Sequence, residues 1–88
     1  AFKQELLLLC LSVPISFLFD ISSTEQLILV LAIVFIIFTE VLNTAIEAVV
    51  DRVGLEIHPL SGLAKDLGSA AVLISMVIAM IIWLIILF

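Results

Sequence analysis

The sequence has little charge for its length. Only 12% of its 88 residues are charged, whereas 66% are hydrophobic, and the mean hydropathy is +1.54. An ordinary soluble domain is roughly half apolar and about a quarter charged. A soluble chain of this length has too small a core to bury so much apolar surface. The composition therefore excludes an ordinary soluble domain and indicates a membrane protein.

Basic residues and cysteine are scarce as well. Three Lys and Arg residues without a basic run do not suit a phosphate backbone, so nucleic acid is not an expected partner. A single Cys10 excludes a disulfide within these residues and most cysteine metal sites. The sequence also lacks a Walker lysine loop and a kinase glycine-rich loop. Any nucleotide site would thus be of an unusual kind.

Long apolar segments are what the sequence does contain. They predict an all-α membrane protein with three transmembrane helices, at about residues 2–19, 24–51 and 62–88, in one domain covering residues 1–88. Pro14 falls in the first of them, where a membrane helix tolerates a kink. Ser22 with Glu25, or Ser23 with Gln26, forms the predicted capping box of the second helix.

Small residues and charges suggest how these helices are arranged. Ala71, Ser75 and Ala79 form a small-residue stripe that permits close helix packing. Basic residues gather at one side of the predicted bundle and two acids mark the other. The first group is Lys3, Arg52, His58 and Lys65, and the second is Asp20 and Glu25. The positive-inside rule then puts the amino terminus and the Arg52–Lys65 connection in the cytoplasm.

A stripe of polar residues ends the second helix. Glu40, Asn43, Thr44, Glu47 and Asp51 lie within about 100° on one helix face. Carboxylates this close repel each other and require a cation, a proton or basic partners. Because basic residues are few, the stripe suggests Mg²⁺, which takes one or two carboxylates together with waters and substrate phosphates. Lys65 is a candidate phosphate ligand.

Simpler explanations exist for part of this pattern. A helix that leaves the bilayer has solvated acids at its end, which accounts for Asp51 and Glu56 equally well. Glu40 fits that account less well, since apolar residues flank it and ionisable groups at membrane depth are costly. The small residues at 68–70 let another helix or a lipid headgroup approach the third helix. Trp83 is typical of an interfacial or packing aromatic.

Residues 40–74, EVLNTAIEAVVDRVGLEIHPLSGLAKDLGSAAVLI, closely resemble the signature of the bacterial integral-membrane diacylglycerol kinases. The segment FKQE at residues 2–5 resembles the start of that family's first membrane helix. The E-x-x-N-x-x-x-E core followed by A-K-D-x-G-S is a specific pattern. Undecaprenol kinases share its first half, while DRVG and GSAA resemble the diacylglycerol kinase branch.

The resemblance implies a fold and an activity. The family is a homotrimer of three-span subunits in the bacterial inner membrane, with composite sites between protomers. It phosphorylates diacylglycerol with MgATP, which gives phosphatidic acid and ADP in phospholipid recycling. Two alternatives remain: an undecaprenol kinase, or a non-catalytic helical membrane oligomer or transporter subunit. A transporter would place its acids near mid-membrane, whereas here they gather at one end.

The resemblance also implies roles for individual residues. Glu40 resembles the general base, with Asn43 beside it, and Glu47 resembles a magnesium ligand. The implied nucleotide site contains Glu47, Glu56, Ile57, His58, Lys65 and Asp66. The implied lipid-substrate positions are Phe2, Gln4, Glu5, Glu40, Ser69 and Trp83. The family also has an amino-terminal surface helix and a second metal-binding glutamate just before FKQE. Neither occurs in these 88 residues, and a chain that lacked both is expected to be inactive.

Overall fold

The computed structural model describes residues 2–53 and 59–88, with the backbone alone at Phe2 and Glu5. In these ranges the chain forms three helices and no strand: α1 Phe2–Ser16, α2 Ser23–Val53 and α3 Pro59–Leu87. The all-α prediction is confirmed. The predicted helices at 2–19, 24–51 and 62–88 differ from α1, α2 and α3 by one to three residues where their ends differ.

α1 ends at Ser16, earlier than predicted. The N–H of Phe17 donates to the Pro14 carbonyl at 3.1 Å, and the N–H of Leu18 donates to the Ile15 carbonyl at 3.0 Å. Such bonds between residues three apart tighten and close a helix. The Ser16 hydroxyl donates to the Val13 carbonyl at 2.7 Å in the same turn. The apolar residues 17–19 therefore lie beyond the helix, which shortens α1 to 15 residues.

A capping box starts α2. The N–H of Ser22 donates to Glu25 Oε1 at 3.0 Å, and the N–H of Glu25 donates to Ser22 Oγ at 3.1 Å. Two backbone donors that the helix leaves unpaired are thereby satisfied. Of the two predicted capping boxes, the Ser22–Glu25 one is formed. The Gln26 side chain instead makes a long 3.5 Å contact with the Ser16 carbonyl, which links α2 to the end of α1.

α2 and α3 are long enough to cross a bilayer. They contain 31 and 29 residues, which correspond to about 46 and 44 Å at 1.5 Å per residue. Both exceed the ~30 Å thickness of bilayer hydrocarbon, and both are apolar enough to be candidate spans. The 15 residues of α1 reach only about 22 Å. α3 begins with Pro59, a residue that suits the first helical position.

The packing of α2 against α3 forms the centre of the molecule. The buried residues recur at alternating spacings of three and four, as on one face of a helix. They are Leu29, Ala32, Ile36, Thr39 and Asn43 on α2, and Gly68, Val72, Ser75 and Ala79 on α3. Of the predicted small-residue stripe, Ser75 and Ala79 lie in this interface, but Ala71 is exposed. Gly68 and Val72 complete the α3 side of the interface instead.

Most apolar side chains are not buried in this single chain. α1 packs against α2, and within the described residues it does not contact α3. The accessible surface is 6367 Å², whereas a compact globular protein of 9.6 kDa exposes roughly 5,100 Å². Leu67, Leu73 and Ile85 are 61%, 63% and 74% exposed. Such a surface requires lipid or further helices around it.

Candidate active site

The predicted polar stripe lies on one uninterrupted helix, α2. Asn43 is buried, Glu40 and Glu47 are half-buried, and Thr44 and Asp51 are exposed. The Thr44 hydroxyl donates to the Glu40 carbonyl at 3.0 Å, so it bonds to its own helix. In the described part of the chain, no side chain forms a hydrogen bond or ion pair with the Glu40 carboxylate. This carboxylate therefore keeps its lone pairs free for an incoming donor.

Asn43 connects the stripe to the packing of α2 against α3. Its side chain is only 8% exposed, and its Nδ2 donates to Glu47 Oε1 at 3.3 Å. The other end of the amide, Oδ1, is buried and has no partner among the described residues. Gly68 of α3 faces that oxygen. Asn43 thus lies between a glycine on one helix and a carboxylate one turn further along its own helix.

Lys65 and Asp51 join the ends of α2 and α3. Lys65 Nζ lies 2.5 Å from Asp51 Oδ1, and the two side chains are 42% and 64% exposed. Asp51 is largely exposed, as expected of a solvated acid at a helix end, and its carboxylate also has a basic partner. Nothing in the spacing of either helix alone indicated this pair. It brings the predicted phosphate ligand to the carboxylate stripe.

A pair of hydroxyls lies deeper in the same interface. Thr39 Oγ1 and Ser75 Oγ are 2.8 Å apart, and both side chains are buried. Thr39 Oγ1 is also 2.8 Å from the Ile36 carbonyl, and Ser75 Oγ is 2.6 Å from the Val72 carbonyl. Two hydroxyl hydrogens cannot serve all three contacts at once. Sequence analysis missed this pair, and its only signal was Ser75 in the small-residue stripe.

The other predicted nucleotide residues are described only in part. Asp66 and Ser69 are exposed on α3, near the half-buried Lys65. Glu56, Ile57 and His58 lie outside the described residues. Of the predicted nucleotide residues on α3, Lys65 is the one that contacts the stripe on α2.

The predicted lipid-substrate residues are spread along the molecule. Phe2, Gln4 and Glu5 lie at the beginning of α1, and the Gln4 side chain is exposed. Trp83 Nε1 donates to the Leu29 carbonyl at 3.1 Å. Leu29 precedes Glu40 by eleven residues on α2, which is about 16 Å along the axis. Within one chain, Trp83 is therefore far from Glu40.

Trp83 also lines an apolar groove. The groove has a volume of about 390 Å³ and lies between α1 and α3, with Ile33 and Ile36 of α2 at its base. Leu11 and Ser12 of α1 form part of its wall. The indole N–H is satisfied by a backbone carbonyl, so the ring offers this groove its apolar surface.

Among the described residues, Glu47 is the candidate metal ligand. No group of three His, Cys, Asp or Glu side chains converges within residues 2–53 and 59–88. Asp51 is paired with Lys65, while Glu47 accepts one long bond from Asn43 and is half-buried. Mg²⁺ keeps several waters and uses one or two protein carboxylates with substrate phosphates. The Glu47 carboxylate fits that requirement, and a nucleotide or a second chain would supply the remaining ligands.

The fold and the polar residues together define a small helical membrane protein with a carboxylate-bearing face in the second half of its longest helix. The family model described as prokaryotic diacylglycerol kinase matches residues 1–87. The chain belongs to this family.

Curated relatives agree with the family match. A diacylglycerol kinase of Escherichia coli (strain K12) is 47% identical over 87 residues, which cover 99% of this chain and 71% of the relative. Those of Pseudomonas aeruginosa and Haemophilus influenzae are 44% and 42% identical over 83 residues. These alignments cover 94% of this chain, and 68% and 70% of the respective relatives. The predicted resemblance is confirmed.

Proposed function

We propose that this chain is a membrane kinase that transfers the γ-phosphoryl group of ATP to diacylglycerol and forms phosphatidic acid. One observation carries the proposal: the family match spans residues 1–87, and therefore includes both the stripe on α2 and Lys65. The relatives named diacylglycerol kinase support the same lipid substrate. Phosphoryl transfer depends mainly on positioning and charge neutralisation, for which carboxylates and a lysine are suited.

Glu40 is the proposed general base, because its half-buried carboxylate has no bonding partner in the described chain. The hydroxyl oxygen of diacylglycerol attacks the γ-phosphorus of ATP while its proton passes to Glu40. The bond from the γ-phosphorus to the β,γ-bridging oxygen breaks, and ADP leaves with that electron pair. At the proposed boundary of the membrane, Glu40 would meet a lipid hydroxyl without extraction of the lipid.

Glu47 is the proposed magnesium ligand, and Asn43 holds its carboxylate. When bound, Mg²⁺ neutralises phosphate charge and orients the nucleotide. Lys65 binds a phosphate oxygen after its ammonium leaves Asp51, a contact that is largely exposed and therefore easily exchanged. Asp66 completes the proposed nucleotide contacts together with residues 56–58.

The proposed lipid contacts combine the start of α1 with positions on α3. Phe2, Gln4 and Glu5 belong to the first turns of α1, while Ser69 is exposed on α3. Trp83 lies about 16 Å along the axis from Glu40, so it would contact the apolar part of a lipid and not the reacting hydroxyl. This division suits diacylglycerol, which has a polar end and long acyl chains.

The proposed assembly is a homotrimer in the bacterial inner membrane. α1 would be the third span, extended by the apolar residues 17–19 beyond its end. With Lys3, Arg52 and Lys65 on the cytoplasmic side, the stripe faces the compartment that contains ATP. The large exposed apolar surface favours an assembly of several protomers, and in such an assembly a neighbouring protomer would complete each site.

Labelled ATP tests the proposal directly. Full-length protein in lipid, supplied with Mg²⁺, should transfer label to diacylglycerol and much less to undecaprenol. Glu40→Gln should reduce turnover by at least about 100-fold, the lower range for general-base catalysis, without a change in oligomer size. Transfer of label to neither lipid would refute the kinase proposal, and label on undecaprenol alone would replace the substrate. Unchanged turnover in Glu40→Gln would remove its role as base.

A further inference from the structure

Gly68 occupies a position where an added side chain would displace a neighbouring one. It is buried in the interface between α2 and α3, and a Cβ at this position would overlap Oδ1 of Asn43. The same Cβ would lie 3.6 Å from Cδ1 of Ile46, which is an ordinary contact. Gly62, one and a half turns earlier on α3, has nothing within 4 Å of such a Cβ. The steric requirement for glycine is therefore specific to Asn43.

The Glu47 carboxylate sets how the Asn43 amide is oriented, and the absence of a side chain at Gly68 gives the amide room. Nδ2 donates to Glu47 Oε1, while Oδ1 lies buried against the glycine without a partner among the described residues. A half-turn of the amide would place its oxygen against the Glu47 carboxylate, and two acceptors repel each other. The amide therefore keeps an orientation that leaves its own oxygen unpaired, at a place where a Cβ on residue 68 would displace it.

We propose that Gly68 is a positioning residue that sets the Glu47 carboxylate through the Asn43 amide. The inference rests on the proposed role of Glu47 toward Mg²⁺, while Gly68 itself touches neither metal nor substrate. A residue that holds a metal ligand in place typically changes metal affinity by about 10- to 100-fold when it is replaced. Gly68→Ala should therefore act on Mg²⁺ affinity more than on assembly.

The first test observes Asn43 without metal or nucleotide. Asn43 is the only asparagine in these 88 residues, so ¹⁵N-asparagine labelling gives one pair of side-chain amide signals from this segment. Asn43→Gln assigns the pair by its loss. Gly68→Ala and Glu47→Gln should each shift these signals, whereas Gly62→Ala should not. Unchanged signals in Gly68→Ala, in protein of normal oligomer size, would overturn the proposal. This readout stands even if no lipid is phosphorylated.

The second test measures the Mg²⁺ concentration that gives half-maximal activity in the full-length protein. Gly68→Ala should raise it on the order of 10-fold, and Gly62→Ala should leave it unchanged. Asn43→Ala removes the overlapping oxygen, so Asn43→Ala/Gly68→Ala should fold even if Gly68→Ala alone does not. In the Asn43→Ala background, Gly68→Ala should then have no further effect on the Mg²⁺ requirement. A further increase as large as that in the wild-type background would mean that Gly68 acts without Asn43, contrary to the proposal.

Discussion

Lys65 and Asp51 form a close ion pair although both side chains are substantially exposed, at 42% and 64%. Water screens such a pair, so it adds little to stability. The contact therefore contributes less to the stability of the fold than to the position of Lys65. It keeps the only described lysine of α3 beside the carboxylates of α2. A nucleotide phosphate carries more charge than one carboxylate, so it can replace Asp51 as the partner of the Lys65 ammonium.

Replacing Lys65 and Asp51 one at a time separates the effect of the ammonium on nucleotide binding from the effect of the ion pair. Lys65→Met should raise the KM for MgATP by roughly 10- to 100-fold, since a hydrogen bond to a charged group contributes about 1.5–3 kcal/mol. Asp51→Asn breaks the same ion pair but keeps the ammonium, so its effect on KM should not exceed about 5-fold. Steady-state kinetics at saturating diacylglycerol measure both. Equal losses in the two variants would show that the ion pair itself is required.

The three helices follow from the sequence, but their mutual register does not. Long apolar runs predict helices because a helix satisfies all its backbone hydrogen bonds within one segment, as hydrocarbon requires. The ends are set by local chemistry, namely the Ser22–Glu25 box and the turns at residues 14–18. The Ser22–Glu25 box was among the predicted alternatives, whereas the turns at residues 14–18 were not predicted. Apolar length alone therefore overestimated α1.

The sequence predicts the face of α2 that carries the candidate site. It does not predict which residues of α3 lie opposite that face. Helical spacing places Glu40, Asn43 and Glu47 on one face whatever α2 packs against. The partners Lys65 and Gly68 depend on how α3 is placed along α2, which the spacing within one helix does not contain. The same limit explains Ala71, which is about 40° around the helix from Ser75 and yet is exposed.

The start of α2 gives a test at the scale of the helix. Ser22→Ala removes the side-chain oxygen that accepts the Glu25 N–H, and loss of an N-cap costs about 1 kcal/mol. Ser23→Ala is the matched control, because Ser23 is the adjacent serine in the alternative box that does not form. The free energy of unfolding in mixed micelles should fall for Ser22→Ala and change little for Ser23→Ala. The reverse order would place the helix start one residue later.

At the scale of the whole molecule, one chain leaves much of its apolar surface uncovered. It exposes 6367 Å², most of its leucine and isoleucine side chains included. Its described residues contain no group of three possible metal ligands. In the proposed homotrimer, neighbouring helices would cover apolar surface and their polar ends would add ligands. Three-fold symmetry would repeat the same heterologous contact and close the ring.

Subunit mixing tests whether Glu40 and Glu47 of one site come from different protomers. Glu40→Gln and Glu47→Gln should each be inactive as pure trimers. If each site combines Glu40 of one protomer with Glu47 of the next, random assembly from equal amounts leaves about one site in four intact in a cyclic trimer. Phosphorylation of diacylglycerol should then recover to about a quarter of the wild-type rate. If both glutamates of a site belong to one protomer, each subunit carries a defect in its own site and mixing restores nothing. Separately assembled trimers cannot share a site. Activity that returns only after the two proteins are unfolded and reassembled together would therefore show that subunits of the two variants complement each other within one trimer.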